Sequence, residues 1–122
     1  MSMIAVVDYG MGNLRSVDKA LEHVAASGQH VRVTSSAEDI AAADRVVFPG
    51  QGAARDCMRE LKDRNLVEPV LQAAKEKPFL GICMGLQVLM SDSEENDGVE
   101  CMDMYRGGVR FFGNELDRDN SE

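Results

Sequence analysis

Cys83 is the residue of this sequence best set up to do chemistry. It stands in Gly81-Ile82-Cys83-Met84-Gly85, with a glycine two places before the sulfur and another two places after. The run Phe79–Ile82 reads as a strand that stops at the cysteine, and the chain restarts beyond it as a helix. That is the G-x-nucleophile-x-G elbow with cysteine in the place of serine. A turn this sharp strains the backbone of the nucleophile and crowds neighbouring main chain, so both flanks need a residue without Cβ. The sulfur is expected above the sheet at the amino end of a helix, where unpaired N–H groups and the helix dipole favour thiolate. A thiolate there attacks carbonyl carbon, and the N–H of Met84 is placed to receive the oxyanion. A buried structural cysteine between two packing glycines is the competing reading of the same residues.

A cysteine nucleophile needs a base, usually histidine, and a group that orients the base. The chain has two histidines, His23 and His30. The first is expected on a helix, off its apolar stripe, and the second ahead of a strand at the edge opposite the elbow. Both read as surface residues, so a nucleophile is present without an evident base.

The elements that must carry the elbow alternate between strand and helix. Met3–Asp8 is an apolar run ending in an acid, as in a strand buried on both faces. The turn Tyr9-Gly10-Met11-Gly12 follows, and Asn13 caps a helix with apolar positions Leu14, Val17, Leu21 and Val24, ended by Gly28. Val31–Thr34 is a second strand, Ser36 caps a short helix over Ala37–Ala42, and Arg45–Phe48 is a third strand stopped by Pro49-Gly50-Gln51-Gly52. A helix over Ala53–Asp63 buries Cys57, Met58 and Leu61, and Asn65 with Glu68 resembles a capping box for the next. Beyond the elbow a helix over Gly85–Met90 is expected, then an acidic solvated loop over Ser91–Glu100, then a strand over Val109–Phe112. The pattern is α/β: a doubly wound, mostly parallel sheet with a flavodoxin-like core. Sites in such sheets form outside the carboxyl ends of the strands, where Tyr9–Asn13, Pro49–Gly52 and Cys83 all fall.

The 122 residues suit one domain, with hydrophobic content of 44% and charged content of 28%. A formal net charge of −8 argues against nucleic acid or an anionic membrane surface as partner. No apolar run is long enough to span a bilayer, and the strand-like opening is not expected to act as a secretory signal. Cys57, Cys83 and Cys101 are odd in number and lack metal-ligand spacing, which suits a reducing, cytoplasmic compartment without a metal site.

Read together, Asp8-Tyr9-Gly10-Met11-Gly12-Asn13-Leu14, Phe48-Pro49-Gly50-Gln51-Gly52, Gly81-Ile82-Cys83-Met84-Gly85-Leu86-Gln87 and Ser93-Glu94-Glu95-Asn96-Asp97-Gly98-Val99 carry a specific resemblance. In order and spacing they resemble the glutaminase subunits of imidazole glycerol phosphate synthase, a branch of the class I glutamine amidotransferases that serves histidine biosynthesis. The resemblance implies hydrolysis of glutamine through a thioester, with ammonia passed to a (β/α)₈-barrel cyclase in a heterodimer. It implies no cofactor and no metal. Carried over motif by motif, Cys83 is the nucleophile, and Met84, Gln51 and Gly52 supply the oxyanion hole. Gly50, Gln87 and Glu95 bind substrate, with the Glu95 carboxylate opposite the α-ammonium of glutamine. Gly12 and Asn13 face the cyclase.

Two departures temper the resemblance. The family continues into a Pro-His-x-Gly-Trp stretch and a His-Pro-Glu motif that supply base and orienter, and neither stands in these 122 residues. Tyr105-Arg106-Gly107-Gly108-Val109 also replaces the usual Pro-Gly turn. The expected organisation is therefore residues 1–112 as the N-terminal part of an amidotransferase domain, C-terminally incomplete, and 113–122 as a disordered polar tail. Taken alone, such a chain is expected to be inactive. A non-catalytic partner-binding half-domain and a flavodoxin-like small-ligand binder are the alternatives.

Overall fold

The apolar run at the start of the sequence forms β1 (Ser2–Val7), an inner strand of a parallel four-stranded sheet. Its companions are β2 (Gln29–Thr34), β3 (Arg45–Phe48) and β4 (Phe79–Gly81), in the order β2-β1-β3-β4. The computed structural model describes residues 2–95 and 98–111. The expected tail, 113–122, lies outside the described residues, as does Phe112.

Strand alternation sends β1 side chains to two different layers. Ala5 and Val7 join Val46 and Phe48 in the larger core cluster, against α2 (Ala37–Ala42), α3 (Ala54–Asp63) and α4 (Val67–Glu76). Ile4, Val6 and Val47 face the other way, against Leu14, Val17 and Leu21 of α1 (Leu14–Val24). Helices on both faces make the sheet doubly wound, as expected. The second layer is thinner: α1 buries none of its residues, and Leu80 and Leu86 stay more than half exposed at 54% and 52%. Most apolar stabilisation therefore comes from the first layer, where each fully buried side chain such as Phe48, Ile40 or Leu61 contributes about 1.5–3 kcal/mol.

The helix signals read from sequence hold at two starts. The Asn13 side chain accepts from the Ser16 N–H at 3.3 Å, and the Ser36 hydroxyl accepts from the Asp39 N–H at 3.3 Å. At the carboxyl end of α2, Lys77 Nζ donates to the carbonyls of Ile40, Ala41 and Ala43 at 3.1, 2.8 and 2.7 Å.

Four expectations are corrected. Asn65 does not cap α4: it sits at φ 56° in the turn that ends α3, and Leu66 stands at the N-cap without a side-chain bond. The helix expected over Gly85–Met90 is one turn, α5 (Met84–Gln87). It stops because the N–H groups of Met102 and Met104 take the carbonyls of Val88 and Leu89, each at 2.8 Å. The acidic stretch expected to be a solvated loop contains β5 (Met90–Ser93) and β6 (Val99–Glu100), which pair antiparallel. The last strand is β7 (Tyr105–Val109), ahead of the predicted span, and it completes a second sheet of order β6-β5-β7. Charged residues on β5 and β6 concealed these strands: Asp92 and Glu100 are cross-strand partners, yet the backbone pairs regardless.

No described helix is long and apolar enough to cross a membrane. No cluster of three or more potential metal ligands occurs among the described residues.

Candidate active site

Cys83 is the N-cap of α5 with φ 54° and ψ −120°, a strained conformation for a residue with a side chain. The thiol is exposed, which removes the reading of a buried structural cysteine. The glycines on either side are there for want of room. A Cβ on Gly81 would lie 3.1 Å from Leu86 Cα, and one on Gly85 would lie 1.9 Å from the Phe48 carbonyl oxygen. The elbow is closed by the Gly85 N–H to Ile82 oxygen at 2.9 Å and by the Ile82 N–H to Phe48 oxygen at 3.0 Å. Its helix is shorter than expected, so the dipole behind the sulfur comes from one turn of four residues.

The three loops expected at one edge of the sheet do meet there. The Met84 N–H donates to the Gly50 carbonyl at 3.3 Å, which joins the elbow to the Pro49–Gly52 loop. Gly12, at φ 108°, packs so closely that a Cβ there would lie 3.4 Å from Pro49 Cβ and 3.5 Å from the Gly50 nitrogen. A Cβ on Gly50 would lie 2.4 Å from the Tyr9 hydroxyl and 2.8 Å from the Gly85 nitrogen. The β1–α1 loop, the Pro49–Gly52 loop and the elbow therefore share one contact surface.

The Met84 N–H is taken up by Gly50, and the Gln51 N–H belongs to the same peptide unit as that carbonyl. In a trans peptide the two groups point oppositely, so Gln51 N–H is aimed away from Met84. Gln51 and Gly52 are both exposed, and Gly52 has φ 86°.

Gln87 and Glu95 come together on a cleft of about 450 Å³, shared with Ser93, Glu94, Val109, Arg110 and Phe111. Cys83 does not line it. Glu95 also has a task that the sequence did not suggest: its Oε2 accepts from the Ala54 N–H at 2.8 Å, at the start of α3. Asn13 is exposed on the β1–α1 loop.

Neither histidine joins this surface. His30 is exposed near the start of β2, three strands from β4 and about 14 Å across the sheet. His23 is exposed near the end of α1, about 14 Å along the helix from the loop at its start.

Two residues beneath the loop were not assigned a site role from sequence. Tyr9 is fully buried, its ring 5.2 Å from that of Phe48, and its hydroxyl donates to the Pro49 carbonyl at 2.7 Å. Cys57 is fully buried, and its thiol donates to the Gln51 carbonyl at 3.5 Å. Burial, reinforced by Cys57, pushes the Tyr9 phenol far above its ordinary range. Burial pushes the Cys57 thiol up as well, against a smaller opposing effect of Tyr9. Both remain protonated donors. A hydroxylated aromatic directly after a buried strand was the available signal for Tyr9, whereas Cys57 could be read only as packing.

Among known proteins, the chain is 62% identical over 117 residues to the imidazole glycerol phosphate synthase subunit HisH of Thiobacillus denitrificans, covering 96% of this chain and 50% of that protein. It is 56% identical over 110 residues to the subunit of the same name from Hydrogenovibrio crunogenus, covering 90% and 52%. With that of Nitrosococcus oceani it shares 59% over 112 residues, covering 92% and 53%. The chain thus spans about half the length of the curated relatives it matches. The sequence profile of the family described as glutamine amidotransferase class-I matches residues 5–114, from β1 through the elbow and past β7. The chain belongs to the class I glutamine amidotransferase family.

Proposed function

We propose that this chain carries the nucleophile half of a glutaminase that delivers ammonia to a partner subunit. The observation that carries the reading is the strained, exposed Cys83 beside a Met84 N–H held by the Gly50 carbonyl. The Cys83 thiolate attacks the side-chain amide carbon of glutamine. The C–N bond then breaks, ammonia leaves, and water hydrolyses the thioester to glutamate and free thiol. Gln87 and Glu95 hold the polar head of the substrate, and Gly50 and Gly52 let the loop approach it.

The oxyanion hole has to be assembled. Rotating the Gly50–Gln51 peptide by half a turn frees the Met84 N–H and brings the Gln51 N–H to the same side, giving two donors. The flanking glycines lower the steric cost of that rotation. Gly12 and Asn13 lie on the loop packed against Gly50, so a partner docking on them acts on the switch. That partner is a (β/α)₈-barrel cyclase, the two subunits form a cytoplasmic heterodimer, and the products are imidazole glycerol phosphate and AICAR. A switch of this kind spares glutamine while no ammonia acceptor is bound. Neither histidine reaches Cys83, so the 122 residues alone turn over glutamine poorly.

Ammonia release is measured for the full-length parent with its partner. Cys83→Ala abolishes turnover. Gln51→Pro, which removes the N–H, lowers partner-stimulated turnover about a hundredfold while the complex still forms. Unchanged stimulated turnover in a folded, complex-forming Gln51→Pro protein rules out this donor. Turnover by the 122-residue chain alone that disappears in Cys83→Ala rules out its inactivity.

A further inference from the structure

We propose that Tyr9 and Cys57 are positioning residues that pin the peptides on either side of Gly50–Gln51, so that the loop turns only at that one unit. The inference rests on the reading of this peptide as the oxyanion switch, and it adds the pivots. Three consecutive carbonyls of the loop have three different partners: Pro49 takes the Tyr9 hydroxyl at 2.7 Å, Gly50 takes the Met84 N–H at 3.3 Å, and Gln51 takes the Cys57 thiol at 3.5 Å. The outer two donors are buried side chains from other elements, Tyr9 following β1 and Cys57 on α3. The middle one is a backbone group of the elbow itself.

The arrangement separates what must stay from what must move. The Tyr9–Pro49 bond is buried, so a Pro49 carbonyl that lost its donor would pay the desolvation of an unpaired polar group, and the part-buried Cys57–Gln51 bond holds the Gln51 carbonyl more weakly. Of the three carbonyls, that of Gly50 alone is held by a backbone group, so its turn leaves both side-chain donors in place. With both neighbours fixed, the unit rotates between two orientations like a crank between bearings. Tyr9 is itself held, with its ring against Phe48, and Phe48 lies 5.9 Å from Phe79. Tyr9 is thereby tied to β3 and β4, the strands that also carry the loop and the elbow.

Amide hydrogen exchange of the full-length parent tests the pins without reference to substrate. Tyr9→Phe removes one donor and keeps the ring, and Cys57→Ala removes the other. Met84 amide exchange accelerates about three- to tenfold in Tyr9→Phe, the effect expected for loss of one ordinary hydrogen bond, and by less in Cys57→Ala, because a thiol is a weak donor. Cys57→Ser restores a donor and brings exchange back towards the wild-type rate. The amides of Val6 and Val47 in the central strands exchange at wild-type rates throughout. An unchanged Met84 rate in the folded Tyr9→Phe, Cys57→Ala double variant overturns the proposal. So does acceleration of Met84 only in step with Val6 and Val47, which marks general loss of stability. If Gln51→Pro leaves turnover intact while Met84 exchange responds to the pins, the catalytic reading fails and the mechanical one stands.

Discussion

Glu95 Oε2 lies 2.8 Å from the backbone nitrogen of Ala54, so a loop acid far along the chain caps α3. The helix needs it, because its own N-cap, Ala53, offers no side-chain acceptor. One carboxylate oxygen thus has a structural role, and the same residue lines the cleft it shares with Gln87. Glu95→Ala lowers stability by about 1 kcal/mol. Glu95→Gln keeps an acceptor for Ala54 and retains most of that stability, while in the full-length parent it raises KM for glutamine with little change in kcat. Urea denaturation and glutamine titration separate the two roles. Equal loss of stability in both variants refutes the cap, and an unchanged KM in Glu95→Gln refutes contact with the ammonium.

Thiol alkylation at neutral pH followed by peptide mapping labels Cys83 first. Cys83 is exposed, Cys101 is half-buried and Cys57 is fully buried. Burial pushes the Cys57 and Cys101 thiols up, and nearby acids such as Asp56 and Asp92 reinforce this. Cys57 reacts only once denaturant is added. Faster labelling of Cys57 or Cys101 in folded protein contradicts the elbow.

Two glycine substitutions with unlike causes should differ sharply. At Gly28 a Cβ meets nothing within 4 Å, and only the φ of 86° opposes a side chain, so Gly28→Ala costs about 1 kcal/mol. At Gly85 the Cβ would sit 1.9 Å from a main-chain oxygen, and the elbow must open to admit it. Gly85→Ala costs about 3 kcal/mol or more. Denaturation midpoints measure both, and similar midpoints would mean that the elbow is not closely packed.

Stability should fall in alkali. Tyr9, Cys57 and Cys101 all hold their protons more tightly when folded than when unfolded. Their contribution is complete below the unfolded values, 9.0 for the thiols and 10.0 for the phenol, and is lost as pH rises beyond them. Urea midpoints therefore drop between pH 8 and pH 11. Cys57→Ala flattens the part of the fall that begins near pH 9, and Tyr9→Phe flattens the part above pH 10. A wild-type midpoint that rises over this range contradicts the assignment.

The parallel sheet was legible because its signals are local. Val46, Val47 and Phe48 form an unbroken apolar run, and Asn13 and Ser36 announce helix starts in their own side chains. The elbow was legible for the same reason, as Gly81 and Gly85 stand within two residues of Cys83. What escaped reading was decided at a distance. The early end of α5 depends on Met102 and Met104 reaching the carbonyls of Val88 and Leu89, and no residue near Leu89 announces it. Asn65 has the composition of a cap, yet the turn that closes α3 claims its backbone for a positive φ. Tyr9 was read as part of a turn, although its hydroxyl finds a carbonyl two strands' worth of sequence later.

The place of β1 between β2 and β3 also governs how the chain can be made. Both neighbours lie downstream in sequence, and β1 pairs with them in parallel over Ser2–Val7 and Ile4–Val6. On a ribosome, one edge of β1 has nothing to pair with until Gln29–Thr34 has followed, and the other edge waits for Arg45–Phe48. At about 5–20 residues per second the second edge stays open for roughly two to eight seconds. Throughout that time the nascent chain displays an unpaired β-branched edge, a substrate for holding chaperones and a seed for aggregation when they are scarce. The strand that anchors the finished sheet is thus its point of greatest exposure during synthesis.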